Sequence, residues 1–571
     1  MEKINGLIVT AALIFLFTAG CGSRADIVFV EGKEVTGSSA MVVSAHPQAS
    51  RIGAEILAMG GNAVDAAIAT EFALAVCYPA AGNIGGGGFM LIRFNDGNYD
   101  ALDYREKAPY GAFRDLYLDE DGEVVRGLST TTHLSSGVPG TVDGMINAHK
   151  KYGTLPFSDL IQPAIDLASN GFIVERGQAA SLNSAARAFN ARNSNPVPFV
   201  KQGGWSEGDT LRQPDLARTL IRIRDKGREG FYGGKTADLI VEEMSRGNGI
   251  ITHDDLALYR SVWREPVSGI YRERYRVTSM SPPSSGGVAL LQLLKKSEDA
   301  GLYGMEFLSV EAIHMMVEAE RRVYADRAKY LGDPDFTDVP VEGLLNRDYL
   351  RERMESFDPQ RATPSDMVSH GFPPGIESEE TTHYSIVDNY GNAVAATTTL
   401  NGGYGSNIVV DRAGFILNNE MDDFAIKPGH PNMFGLIGGE ANAIEPGKRM
   451  LSSMTPVIVE RDGELYLVAG TPGGSTIITT VYQIVVNMTD FGLTLGEAVA
   501  APRFHHQWLP DQISYERGNP LPSDAVERLG QKGHSFSGRG SIGRVDAIVV
   551  SADGDIKGVA DPRGDNRASG Y

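Results

Sequence analysis

Cysteine is nearly absent: the 571 residues hold two, Cys21 and Cys77. That excludes a disulfide framework, and Cys77, inside the apolar run "FALAVCYPA", reads as a buried thiol. No Cys/His arrangement has zinc-site spacing, adjacent His505 and His506 are not placed for one helix face, and there is no G-x-S-x-G serine elbow. Phosphate and dinucleotide loops are missing too. In "GFYGGKT" three residues separate Gly230 from Gly234 where a P-loop needs four, and the run Gly85 to Gly88 lacks the dinucleotide fingerprint. The sequence therefore implies no metal and no organic cofactor. Positive charge is in deficit, with 52 Lys and Arg against 72 Asp and Glu, a formal charge of -20. Such a chain repels phosphate backbones and anionic lipid surfaces, so nucleic acid is not an expected partner. Long apolar runs are lacking as well: the clearest, from Leu7 to Phe17, is shorter than the roughly 20 residues needed to span a bilayer.

That short run has a different use. With Lys3 before it and small residues after it, "MEKINGLIVTAALIFLFTAGCGS" reads as an export signal covering residues 1–22. Ending in "TAGC", it is similar to a bacterial lipoprotein signal in which Cys21 is lipidated; ordinary cleavage is the alternative. The expected location is periplasmic, free or tethered through Cys21. The rest is ordinary globular composition, 42% hydrophobic and 22% charged, and too long for one simple core.

The segment "SAHPQASRIGAEILAMGGNAVDAAIATEFALAVCYP" holds two Ala-rich helical patterns broken at Gly60 and Gly61, with Asn62 placed to cap the second. A strand over residues 40–45 precedes them, and "GGFMLIRF" with "YDALDYRE" predicts a hairpin after them. Residues 158–354 read as mostly helical. Residues 357–380, rich in Pro, Gly, Ser and charge, read as a solvated linker. Strand patterns then take over: "THYSIVD", "NAVAATTTL", "TPVIVERDGELYLVAG" and "VDAIVVSADGDIKGVAD".

Thr381 stands where linker gives way to strand. A Thr hydroxyl is a poor nucleophile unless a base lies beside it. A newly made α-amine, with a pKa of about 7.7 to 8.0, supplies that base within the same residue. Making it requires cleavage between Glu380 and Thr381: the hydroxyl attacks the preceding carbonyl, the acyl group shifts from nitrogen to oxygen, and water hydrolyses the ester. Thr is also simply common in strands, so position alone leaves both readings open.

The order of "AGNIGGGGFML", "DYREKAP", "SSGVPGTVDG", "PPSSGG", "ETTHYSIVD", "GNAVAATTTLN", "LNNEMDDF", "KRMLSSMTP", "GTPGGSTIITT" and "APRFHHQWLP" resembles the γ-glutamyltranspeptidase family from about Val42 to Tyr571. The resemblance implies an α/β (α+β) fold, a four-layer αββα sandwich of the N-terminal nucleophile hydrolase type. It also implies a precursor that cuts itself into a large subunit, 23–380, and a small one, 381–571, which stay together as a heterodimer. Thr381 matches the nucleophile, Thr399 a second threonine that holds it, and Gly473 and Gly474 the donors of the oxyanion hole. Arg105, Ser452 and Ser453 match the groups that bind the substrate's α-carboxylate. Asn401, Glu420 and Asp423, on the opposite side of the pocket, match acceptors for its α-ammonium. "KPGHPNMFGLIGGEANAIEP" matches a lid loop, with Phe434 where several relatives carry Tyr.

The implied activity is transfer of the γ-glutamyl group of glutathione and similar donors to water or to an amino acid or dipeptide amine. Two alternatives stand beside it: an acylase of the β-lactam glutaryl type, and an unprocessed binding protein.

Overall fold

The structure, a computed structural model, describes residues 27–369 and 381–571. The proposed export signal, Cys21 and the Glu380 side of the proposed cleavage bond lie outside the described residues. Among the described residues no helix is long and apolar enough to cross a membrane.

Two antiparallel sheets stack face to face. The first has eight strands, in the order Val30–Gly32, Arg567–Gly570, Met41–Ser44, Thr382–Val387, Ala393–Thr399, Gly87–Arg93, Tyr99–Asp103 and Val262–Arg264. The second has seven: Glu34–Gly37, Ile556–Ala560, Asp546–Val550, Glu464–Gly470, Val457–Arg461, Tyr275–Ser279 and Val267–Tyr271. Strand Thr382–Val387 packs across the interface on Glu464–Gly470 and Asp546–Val550. Helices Pro47–Ala58 and Ala63–Cys77 cover the outer face of the first sheet; Gly286–Asp299, Ile477–Thr489 and Leu495–Ala500 cover that of the second. This is the expected αββα sandwich.

The central strands are buried on both faces, which explains their unbroken apolar runs. Alternate side chains enter different cores. Met90, Ile92, Val394 and Ala396 face the outer helices with Val42, whereas Phe89, Leu91, Ala393 and Ala395 join Met41, Val43, Val459 and Leu467 between the sheets. Helix Ala63–Cys77 begins as its sequence predicts: the Asn62 side chain accepts hydrogen bonds from the Val64 and Asp65 amides, and the Asp65 carboxylate accepts one from the Asn62 amide. Cys77 is wholly buried in that helix.

Two readings need correction. Residues 262–279, within the stretch expected to be mostly helical, form three short strands that close one edge of each sheet. Their outward side chains are only partly buried, so no strong apolar alternation announces them. The expected linker is docked, not solvated, at its start: the Asp511 carboxylate accepts from the Ser365 amide at 2.8 Å, Trp508 Nε1 donates to the Ser365 carbonyl at 2.9 Å, and Ser365 and Val368 are buried. "GFYGGKT" is the joint between helices Glu229–Tyr232 and Gly234–Arg246, with Gly234 at φ +50°.

Candidate active site

Strand Thr382–Val387 carries Thr381 at its head, and the register fixes what lies beside it. Thr382 pairs with Thr398, and Thr399 pairs with Gly87 on the next strand. Gly87 has no room for a side chain there: an added Cβ would sit 2.5 Å from the Tyr104 carbonyl oxygen. Thr381 and Thr399 are both buried and line one pocket together with Arg105, Asn401, Glu420, Asp423, Ser452, Ser453 and Gly474. Gly473, the tenth predicted residue, immediately precedes Gly474. The Thr399 hydroxyl accepts from the Asn401 amide at 2.7 Å, tying the second threonine to the start of the loop that follows.

Gly473 and Gly474 adopt φ +141° and +52° just before helix Ile477–Thr489. Such angles favour glycine, and a Cβ on Gly474 would meet the Phe434 ring at 2.6 Å. Among the described residues no backbone acceptor takes either N–H. Gly474 lines the Thr381 pocket, where a backbone amide can serve as a donor to a developing oxyanion.

Charge dominates the opposite end. Arg105 contacts Glu420 at 2.9 Å, Asp423 at 2.6 Å and Glu106 at 3.4 Å; Arg105, Glu420 and Glu106 are buried and Asp423 is partly so. The two families of groups expected on opposite walls are thus in direct contact, because burial makes each cation seek an anion. Burial opposes the Arg105 charge, but Glu420, Glu106 and Asp423 outweigh it and raise its pKa. Burial likewise pushes all three acids up, Glu106 to about 7, with Arg105 pulling the other way. Three carboxyl groups around one guanidinium, all held up by burial, offer acceptors that a substrate ammonium would bind and whose ionised forms it would favour. Asn401 is held at φ +73° with its amide nitrogen donating to the Asn419 carbonyl at 3.0 Å, which leaves its side-chain oxygen as the uncommitted acceptor.

The lid segment closes over this end. Asn432 Nδ2 donates to Asp423 Oδ1 at 3.1 Å, the Met433 amide donates to Asp422 at 2.7 Å, and Phe434 and Leu436 line the pocket. Sequence reasoning missed Glu106, although it adjoins Arg105, and Arg327, a charge in the last turn of helix Val310–Tyr330 whose Nη2 donates to Ser453 Oγ at 3.1 Å. Neither has a spacing that singles it out.

Among the described residues, one group outside the pocket has the geometry to hold a metal: His314, Glu318 and His534. Its imidazoles hydrogen-bond one another at 2.7 Å, and Glu318 is ion-paired with Arg321 and Arg322, so an incoming cation would face two guanidiniums.

A buried threonine at the head of a central strand of an αββα sandwich, with Gly474 and a charged pocket beside it, is the arrangement of an N-terminal nucleophile hydrolase. The chain matches the description "Gamma-glutamyltranspeptidase" over residues 49–571 and belongs to that family. It is 48% identical over 541 residues to a "Glutathione hydrolase proenzyme" of Escherichia coli K12, covering 94% of this chain and 93% of that one. It is 49% identical over 519 residues to one of Pseudomonas aeruginosa, covering 90% and 91%. Among solved structures, a cephalosporin acylase from Bacillus halodurans superposes with TM-score 0.82 at 27% identity over 98% of this chain and 99% of that one. A Helicobacter pylori gamma-glutamyltranspeptidase chain does so with TM-score 0.56 at 48% identity, covering 57% of this chain and 94% of that one.

Proposed function

We propose that this protein is a self-processed γ-glutamyltransferase and hydrolase whose donor is glutathione or a similar γ-glutamyl amide, the glutathione assignment drawing on the names of its relatives. Cleavage before Thr381 yields the large and small subunits and frees the α-amine. That amine takes the proton of the Thr381 hydroxyl as its oxygen attacks the γ-carbonyl carbon. The Gly473 and Gly474 amides hold the oxyanion, a contribution of about 3 to 4 kcal/mol per donor. As the amide C–N bond breaks, the protonated α-amine returns its proton to the leaving nitrogen. A water, or the amine of an amino acid or dipeptide, then attacks the Thr381 ester, and the threonine leaves as it arrived.

The observation that carries this reading is the buried cluster of Arg105, Glu106, Glu420 and Asp423 at one end of the Thr381 pocket. Its three carboxyl groups suit the ammonium of an amino-acid head, whose charge would draw them towards the ionised form. A glutaryl group has no ammonium to meet them, which disfavours the β-lactam acylase alternative. The N-terminal pattern supports export to the periplasm, with Cys21 as a lipid tether.

Intact mass and N-terminal sequencing of the wild type and of Thr381→Ala test the reading. The wild type is expected to yield a fragment from Thr381 to Tyr571 and to hydrolyse γ-glutamyl-p-nitroanilide; the variant is expected to do neither. One uncut, inactive chain in both samples refutes the mechanism and favours the binding-protein alternative.

A further inference from the structure

Both outer nitrogens of Arg105 are committed to carboxylates, Nη1 to Glu420 and Nη2 to Asp423. A substrate carboxylate arriving at this end therefore needs further donors and further positive charge. Arg327 has what Arg105 lacks. It is buried, and among the described residues no carboxylate lies within ion-pairing distance of it. Burial lowers its pKa, with Asp423 close enough to counter part of that effect.

The polarity of its hydrogen bonds decides what it does. A guanidinium can only donate. Nη2 donates to Ser453 Oγ at 3.1 Å, so that oxygen accepts from the protein and its own O–H is left to give away; no acceptor among the described residues takes it. Nε donates at 2.9 Å to Ser285 Oγ, whose O–H donates to the Ser452 carbonyl at 2.6 Å, and the Ser285 amide donates to that same carbonyl at 2.8 Å. Ser452 Oγ in turn accepts from the Met454 amide at 3.1 Å. Both pocket hydroxyls are thereby set as donors, one directly by Arg327 and the other on a backbone that Arg327 holds through Ser285.

We propose that Arg327 is the positioning and specificity residue for the donor's α-carboxylate: it orients Ser453 and the Ser452 segment as donors and supplies the unpaired positive charge behind them. The inference rests on the γ-glutamyl reading above. It predicts a selective defect, because only ligands bearing that carboxylate use the arrangement. L-Glutamate and 4-aminobutyrate differ by the α-carboxylate alone and report it as competitive inhibitors of γ-glutamyl-p-nitroanilide hydrolysis.

In Arg327→Met, with processing confirmed by two chains on a denaturing gel, KM for the anilide and Ki for L-glutamate should both rise about 10- to 100-fold. Ki for 4-aminobutyrate should stay within about 2-fold and kcat within about 3-fold, and Arg327→Lys should fall between. Adding Arg327→Met to Ser453→Ala should cost less than Arg327→Met alone, since the two act as one unit. Equal changes in the two Ki values, or additive losses in the double variant, overturn the proposal. Should Arg327→Met not be processed, the Ki ratios of Arg327→Lys and Ser453→Ala decide in the same way. Wild-type protein that is cut but ignores the anilide instead sinks the γ-glutamyl reading, and the inference with it.

Discussion

Glu106 adjoins Arg105 in sequence and again in space, and its buried carboxyl is pushed up to about 7 by desolvation, with Arg105 limiting the rise. Its titration should therefore be visible in binding. An ammonium-bearing ligand favours the ionised carboxylate, so binding should be full above pH 7 and weaken as the pH falls through it, by about tenfold per unit at the limit. Measured as Ki for L-glutamate between pH 5.5 and 8.5, this limb should appear in the wild type and flatten in Glu106→Gln. A limb that persists in the variant assigns it to another member of the cluster. The residues legible in advance were those set in distinctive strings: Thr381, Thr399, Gly473 and Gly474, and the pocket side chains Arg105, Asn401, Glu420, Asp423, Ser452 and Ser453. Glu106 and Arg327 were not, because a charge beside another charge, or late in a helix, is ordinarily a solvated one. Only burial shows that these two are not.

At the scale of elements, the readable features were those with a strong period or cap. The Ala-rich helices and the strands from Thr382 onward are of that kind, since their apolar positions serve two cores at once. The edge strands of residues 262–279 and the docking of residues 362–368 depend on partners far away in sequence, which no local pattern reports. That docking is held by Asp511, which accepts from the Ser365 amide and pairs with Arg321 and His506. Arg321 and His506 lie in different proposed subunits, and Arg321 also hydrogen-bonds the Ser365 hydroxyl. Asp511→Ala should leave Arg321, which is buried, with Glu318 alone and cost about 2 to 3 kcal/mol. Limited proteolysis should then cut near Ser365 at protease concentrations that leave the wild type intact, together with a lower Tm. Unchanged resistance would show that Trp508 and the backbone contacts suffice.

Over the whole molecule, the proposed subunits do not divide the fold into halves. Strands Thr382–Val387 and Ala393–Thr399 lie between Met41–Ser44 and Gly87–Arg93, so each sheet is woven from both sides of residue 380. The seam between them runs beneath helix Ala63–Cys77, where Glu71 is wholly buried against the strands bearing Tyr384 and Thr398. Those hydroxyls lie near enough to lower its pKa but not in hydrogen-bond geometry, and burial prevails, raising it to about 8. In the folded protein Glu71 is accordingly neutral at pH 7, whereas in the unfolded chain it ionises above about 4.5. Between those values the folded state holds the extra proton, so its contribution is fully present below pH 4.5 and is lost as the pH rises towards 8, after which it changes no further. A permanently neutral Gln has no such loss. Glu71→Gln should match the wild type near pH 4.5 and exceed it at pH 7 by on the order of 3 kcal/mol. Tm measured at pH 5, 7 and 8.5 should show the gap widening with pH; a constant gap would mean that Glu71 keeps its charge in the fold and is paired there.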